Sequence, residues 1–227
     1  MLRYIGKRIL SLIPVMIVVS FVAFLIVYMI PGGPATSILG LEASADEIRA
    51  LNAQLGFDRP FFVQYLDWFG NVLHGDWGNS YFLQQSVLSA IGEYFGPTLS
   101  LAILAQIFAL ILSVPLGILA AYKRGTAIDV TAVSISLLGS ALPGFLLSMF
   151  LMLAFSVYHH WFPVAGYAAL SAGLGEHLRY LFIPALSLGI VQAAYLTRMT
   201  RSSLLDVLYR NYIHTARANG VKEAKVV

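Results

Sequence analysis

Residues 9–30 read ILSLIPVMIVVSFVAFLIVYMI, without one charged side chain. About 20 apolar residues in a helix cross the hydrocarbon of a bilayer. The residues before it carry Arg3, Lys7 and Arg8. A secretory signal peptide shares such a basic start, but its apolar region is about 7–15 residues long and ends at a small-residue cleavage site. This stretch is longer and no such site follows, so it reads as a permanent transmembrane helix. The rest of the chain has the same character. Of 227 residues, 59% are hydrophobic and 11% are charged, against about 25% charged in a soluble protein. That balance excludes a disordered tail, a nucleic-acid arm and an ordinary cytosolic enzyme. Cysteine is absent, which excludes disulfide frameworks, cysteine zinc sites and thiol catalysis.

Working outward, three further apolar stretches qualify as spans: residues 97–121, 128–158 and 181–197. They carry Pro115, Pro143 and Pro184 in turn. Proline frees a carbonyl and kinks a helix, which lipid tolerates where neighbouring groups restore the hydrogen bonding. Pro184 lies near the start of its span and reads as packing geometry. Pro143-Gly144 falls mid-span, where a kink lining a passage and a packing kink are equally open readings. The fold expected is an all-α integral membrane protein with four transmembrane helices.

Charge orders those helices. With the N-terminus in the cytosol, eleven of the Lys and Arg residues fall inside: Arg3, Lys7, Arg8, Lys123, Arg124, Arg198, Arg201, Arg210, Arg217, Lys222 and Lys225. Arg49, Arg59 and Arg179 fall outside, beside eight of the eleven acids. The net +3 is thus a difference between a basic inner side and an acidic outer one, as the positive-inside rule requires. The map is a cytosolic N-terminus (1–8), a first span (9–30), an outer segment (31–96) and a second span (97–121). A cytosolic loop (122–127), a third span (128–158), an outer loop (159–180), a fourth span (181–197) and a cytosolic segment (198–227) complete it.

In the outer segment, Ser44 followed by Glu47 is a capping box before Ile48, Leu51 and Leu55, which share a helical face; Gly56 stops that helix. Asp58-Arg59-Pro60 reads as a cap with proline in the first turn of a second helix, with Phe62, Leu66, Phe69 and Leu73 as its apolar stripe and Tyr65 and Trp68 suited to the interface. Both read as amphipathic helices on the outer membrane surface or against the spans. Gly75-Asp76-Trp77-Gly78-Asn79-Ser80 is turn-rich, with Asp76 and Ser80 placed to close a loop. His159, His160 and His177 lack the spacing of a metal site, and the His159-His160 pair beside Trp161 reads as interfacial.

Inside, Tyr212 to Gly220 forms a helix-permissive run ending in the turn signal Asn219-Gly220. It reads either as a compact knob that docks into a partner's groove or as a basic helix held by anionic lipid. Thr126 and Asp129 read as helix capping and dipole compensation at the cytosolic start of the third span. Ser134, Ser136 and Ser140 are expected to bond backbone. Gln106 and Gln192 are expected to face protein or water. Nucleotide-binding glycine motifs, a catalytic triad and, apart from Asp129 at the start of the third span, intramembrane carboxylates are missing, which speaks against an enzyme and against an ion-coupled carrier.

These blocks, taken in order, resemble the membrane-spanning permease subunits of bacterial ABC importers of the peptide and nickel branch. The resemblance rests on Leu2-Arg3-Tyr4 with Arg8-Ile9, on Met29-Ile30-Pro31-Gly32 and on Leu55-Gly56-Phe57-Asp58-Arg59-Pro60. Gln64-Tyr65, the Gly75 to Ser80 run, Pro97-Thr98-Leu99, Pro115-Leu116-Gly117 and Lys123-Arg124-Gly125 continue it. Arg198-Met199-Thr200-Arg201-Ser202-Ser203, Asp206-Val207-Leu208 and Tyr212 to Gly220 complete it. The resemblance implies the type I importer bundle, a bacterial inner-membrane location and no enzymatic or cofactor chemistry in this subunit. It implies as partners a second permease, two ABC ATPase subunits and an external substrate-binding protein. It also implies that Tyr212, Thr215, Ala216, Arg217 and Gly220 form the loop that couples to the ATPase, with His214 where the general motif has an acid. The family's pattern continues past the coupling loop into two further spans, so the expectation is a permease lacking its last two helices.

The expected cargo is a dipeptide, an oligopeptide or glutathione. The alternatives are nickel, through the same family, or an inactive truncated membrane scaffold. Ser140, Pro143 and Gln192 are the expected translocation-path residues.

Overall fold

The computed structural model describes residues 2–29, 33–40, 42–80 and 82–221. Ile30, Pro31 and Gly32, at the expected exit of the first span, lie outside the described residues, as do Leu41, Tyr81 and the basic tail from Lys222. The described chain is α-helical with one small hairpin. The helices are α1 (Leu2–Tyr28), α2 (Gly33–Leu39), α3 (Ala45–Leu55), α4 (Phe61–Leu73) and α5 (Val87–Tyr122). They continue as α6 (Ala127–Ala141), α7 (Gly144–Leu151), α8 (Leu174–Leu208) and α9 (Asn211–Ala218). The hairpin pairs β1 (Asn79–Ser80) antiparallel to β2 (Gln85–Ser86), Asn79 facing Ser86. Among the described residues α1, α5 and α8 are long and apolar enough to cross a membrane, and α6 with α7 and its continuation makes a fourth crossing if that bent pair is one span. The chain divides into two compact units, residues 1–93 and 94–227.

In the first unit, α1 shows Ile9, Leu10, Val15, Met16 and Val18 to its surroundings. In water such a face would drive aggregation; lipid is an equally apolar solvent for it. The packed part of α1 is aromatic. Phe21, Phe24 and Tyr28 meet Phe61, Tyr65 and Trp68 of α4, with ring centroids 5.0–5.7 Å apart in the pairs Phe21–Phe61, Phe21–Tyr65, Phe24–Phe61, Phe24–Tyr65, Phe24–Trp68 and Tyr28–Phe61. Against α1, α4 thus presents chiefly Phe61, Tyr65 and Trp68 and not the stripe read from sequence. Phe62, Leu66 and Leu73 are exposed, while Tyr65 is buried and Phe69 stacks on it. Aromatic side chains occupy both faces of α4, and the rings of α1 select the one that meets them edge-on. The Tyr65 hydroxyl shares a 2.9 Å hydrogen bond with Ser20 and donates at 3.4 Å to the Ile17 carbonyl.

The Ser44 capping box forms in full. The Glu47 amide donates to the Ser44 hydroxyl, and the Glu47 carboxylate accepts from both the Ser44 amide (2.9 Å) and hydroxyl (2.7 Å). Those two donors hold the Glu47 carboxyl below its ordinary value. Gly56 closes α3 at φ 72°. The N-cap of α4 is Pro60 itself, without a side-chain cap, so Asp58 does not serve the capping role its position suggests. Asp76 accepts from the Gly78 amide and Ser80 from the Leu83 amide, closing the loop that precedes α5.

The second unit is built around α8. Apart from His177, its buried positions are small or aliphatic: Leu181, Ile183, Ala185, Ser187, Gly189, Ala193, Ala194, Thr197 and Leu208. Small residues let helices approach closely in lipid, where apolar burial supplies no net driving force. At Gly189 and Gly117 α5 and α8 approach closely. A Cβ on Gly189 would lie 2.7 Å from the Phe108 Cβ, and one on Gly117 would lie 2.7 Å from the Thr200 Cβ.

Residues 128–158 do not form one kinked helix. The axis turns by 99° between α6 and the helix that begins at Gly144. Leu142 precedes a proline and is extended (φ −82°, ψ 127°), as the Pro143 ring requires. Pro143 then caps α7 without an N–H to place. Beyond Leu151 the chain continues as π-helix, Met152–Tyr158.

Candidate functional site

α8 ends at Leu208, and Arg210 takes an extended conformation (φ −74°, ψ 147°) that starts α9. Leu208 and Ile213 are buried and anchor the short helix. Tyr212, Thr215 and Arg217 face outward, and Ala216 is half-buried. The Thr215 hydroxyl donates to the Asn211 carbonyl within the helix. At the end of α9, the Gly220 amide bonds the Arg217 carbonyl and the Val221 amide bonds the Ala216 carbonyl, with Gly220 at φ 75°. This pair of bonds is a Schellman cap, for which an αL residue is required. Gly220 meets that need by backbone freedom, since nothing lies within 4 Å of where its Cβ would be.

The turn between α5 and α6 lies beside α9. Lys123, Arg124, Tyr209 and Arg217 line an open cavity of about 440 Å³ there. Arg124 donates to the Tyr209 hydroxyl at 2.6 Å and lies over its ring. Asp129, in the first turn of α6, is gripped by Arg201 of α8 through two bonds, Nε to Oδ1 at 2.6 Å and Nη2 to Oδ2 at 2.8 Å. The same carboxylate accepts the Gly125 amide at 3.0 Å. Thr126 makes no cap bond and its hydroxyl turns back to the Lys123 carbonyl. Asp129 thus keeps the first-turn place expected from sequence and accepts a backbone amide there, and an interhelical ion pair that the sequence did not show is added to it. Its side chain is 7% exposed, that of Arg201 25%. Arg49–Asp46, Arg59–Asp67 and Arg179–Glu176 are solvent-facing pairs, worth about 0–1 kcal/mol each. Removing one partner of a buried pair costs about 3–5 kcal/mol.

Further along α8, Arg198 donates to the Ser140 hydroxyl at 3.1 Å, and Gln192 donates to Gln106 of α5 at 2.9 Å. Ser140 also bonds its own helix at the Leu137 carbonyl, as Ser136 does at Ala132. Pro143 stands at the bend, and the Gly144 position faces Val191. Ser140 and Gln192 therefore bond different partners, Arg198 of α8 and Gln106 of α5. Sequence reading placed Gln106 and Gln192 against protein or water but did not pair them. In the sequence Arg198 and Arg201 stand as inner-side charge, and no local spacing links either to α6. Asp129 was the one available signal, an acid in an apolar helix.

Among the described residues, no group of three His, Cys, Asp or Glu side chains is placed to hold a metal ion. His177 is buried and donates through Nδ1 to the Ala168 carbonyl at 2.7 Å, and His159 stacks on Trp161.

Sequence comparison places these helices among known proteins. Residues 1–102 match the N-terminal family described as a binding-protein-dependent transport system membrane component, and residues 113–227 match the family described as a binding-protein-dependent transport system inner membrane component. A Brucella suis permease named for a peptide transport system is 41% identical over 222 residues, covering 97% of this chain and 70% of that protein. The glutathione transport system permease proteins of Escherichia coli K12 and Shigella flexneri are each 39% identical over 227 residues, covering all of this chain and 72% of theirs. An all-α, multi-pass chain with these relatives is a membrane permease of a transporter and not an enzyme: it belongs to the family of inner-membrane components of binding-protein-dependent transport systems.

Proposed function

We propose that this permease serves an ATP-driven importer of peptides, with dipeptides, oligopeptides or glutathione as cargo. It pairs with a second permease, receives substrate from an external binding protein and is driven by two cytosolic ATPases. The relatives' names favour peptides over nickel. Tyr212, Thr215, Ala216, Arg217 and Gly220 are the ATPase-coupling surface. The observation that carries this reading is the shape of α9. It is a two-turn helix anchored by buried Ile213, presenting Tyr212, Thr215 and Arg217 outward and ending in a glycine-dependent cap. Such a helix fits a groove on a partner. The N-terminus and α9 share the cytosolic side, which the charge distribution supports. Ser140, Pro143 and Gln192 belong to the translocation path, at and beside the bend that two states of the bundle would exploit.

The chain has no cysteine, so a single Thr215→Cys substitution gives a unique thiol. In the assembled transporter this thiol is expected to cross-link to the ATPase and to react with an impermeant reagent only from the cytosolic face. Labelling from the outer face, or an ATPase that is retained but never cross-linked, overturns the reading.

A further inference from the structure

The bidentate ion pair between Asp129 and Arg201 joins elements that sequence keeps 72 residues apart. Its geometry is more specific than stability alone requires. Arg201 offers its guanidinium fork side-on, which fixes orientation as well as distance. Asp129 also accepts the Gly125 amide, in the turn between α5 and α6. That turn is tied a second time, by Arg124 to Tyr209 at the joint between α8 and α9. One turn back along α8, Arg198 holds Ser140 at the far end of α6, just before the bend at Pro143. The foot and head of α6 are thus both attached to the helix that carries α9.

We propose that Asp129 and Arg201 are positioning residues that fasten α6 to the α8–α9 arm, so that a displacement of α9 moves α6 and its Pro143 bend with it. The proposal rests on α9 being the ATPase-coupling helix. Packed helices respond to such displacement as coupled bodies, and a pair that biases both transmits energy between distant sites. A lysine at position 201 keeps the charge and loses the fork.

The test uses the assembled transporter in proteoliposomes with ATP, binding protein and a peptide substrate. Asp129→Asn and Arg201→Lys are expected to retain the ATPases. Transport per ATP hydrolysed is expected to fall about fivefold or more, the range of measured coupling energies. The exchange Asp129→Arg with Arg201→Asp is expected to recover most of it. A ratio unchanged in Asp129→Asn overturns the proposal. So does loss of ATPase retention in both single variants without recovery in the exchange, which would make the pair a folding element. If the unmodified permease fails to retain ATPases, the coupling reading of α9 falls and takes this proposal with it. Retained ATPases with undisturbed coupling remove the pair's role alone.

Discussion

A Cβ on Gly189 of α8 would stand 2.7 Å from the Phe108 Cβ of α5 and 2.9 Å from the Ala105 carbonyl oxygen. Gly117 makes the reciprocal approach, 2.9 Å from the Thr197 carbonyl. At both sites the obstacle includes backbone, which cannot rotate away. Gly189→Ala and Gly117→Ala are therefore expected to destabilise the second unit by about 1–3 kcal/mol through overpacking. Gly92→Ala, also within α5 but with open space around it, is expected to be neutral or stabilising by up to about 1 kcal/mol, from helix propensity. Unfolding midpoints in detergent or lipid decide between these outcomes.

The α1–α4 contact gives a second expectation. Tyr65 is buried among Phe21, Phe24, Trp68 and Phe69. Tyr65→Ala is expected to cost about 3–5 kcal/mol, as aromatic truncations in packed sites do. Tyr65→Phe removes only the hydroxyl shared with Ser20 and is expected to cost about 0.5–1.5 kcal/mol. Denaturant unfolding of the two variants should separate ring from hydroxyl.

These cases show which parts of the fold were legible in sequence. Helix type followed from apolar runs of spanning length, and local chemistry marked the Ser44 box, the Gly56 stop and the Asn219-Gly220 turn, because each involves residues within a few positions. The buried face of α4 was not legible. In water only one face of a helix is apolar, whereas the Phe62 stripe and the Phe61, Tyr65, Trp68 stripe are both apolar here, and the choice is made by rings on α1. The Asp129–Arg201 pair was likewise hidden. Its partners are local only in space, and a charge count treats every arginine as solvated. Pro143 announced a break but not its 99° size, which follows from Leu142 and Pro143 both being extended.

The Glu47 carboxyl is held below its ordinary value by two donors from Ser44. A depressed folded-state pKa contributes stability that is present above the unfolded value, 4.5, and is lost as pH falls through the lower folded value. The start of α3 is therefore expected to fray below about pH 4.5. Amide hydrogen exchange at Ile48, corrected for the intrinsic pH dependence, should accelerate in that range. Glu47→Gln keeps a capping acceptor without the charge and is expected to flatten the pH response.

The Gln192–Gln106 bond between α8 and α5 allows the path assignment to be tested apart from folding. Interhelical hydrogen bonds in membranes are worth about 0.6 kcal/mol on average. Gln192→Leu alone leaves Gln106 without this partner and is expected to destabilise by roughly that amount or somewhat more. Replacing both glutamines by leucine removes the unsatisfied group, and the double variant is expected to return close to the starting stability. A folded double variant has then lost only the polar surface. If Gln192 faces the passage, uptake by the assembled transporter falls while the unfolding midpoint stays in place. Full uptake by the double variant removes Gln192 from the path and leaves the bond as a packing contact between α5 and α8.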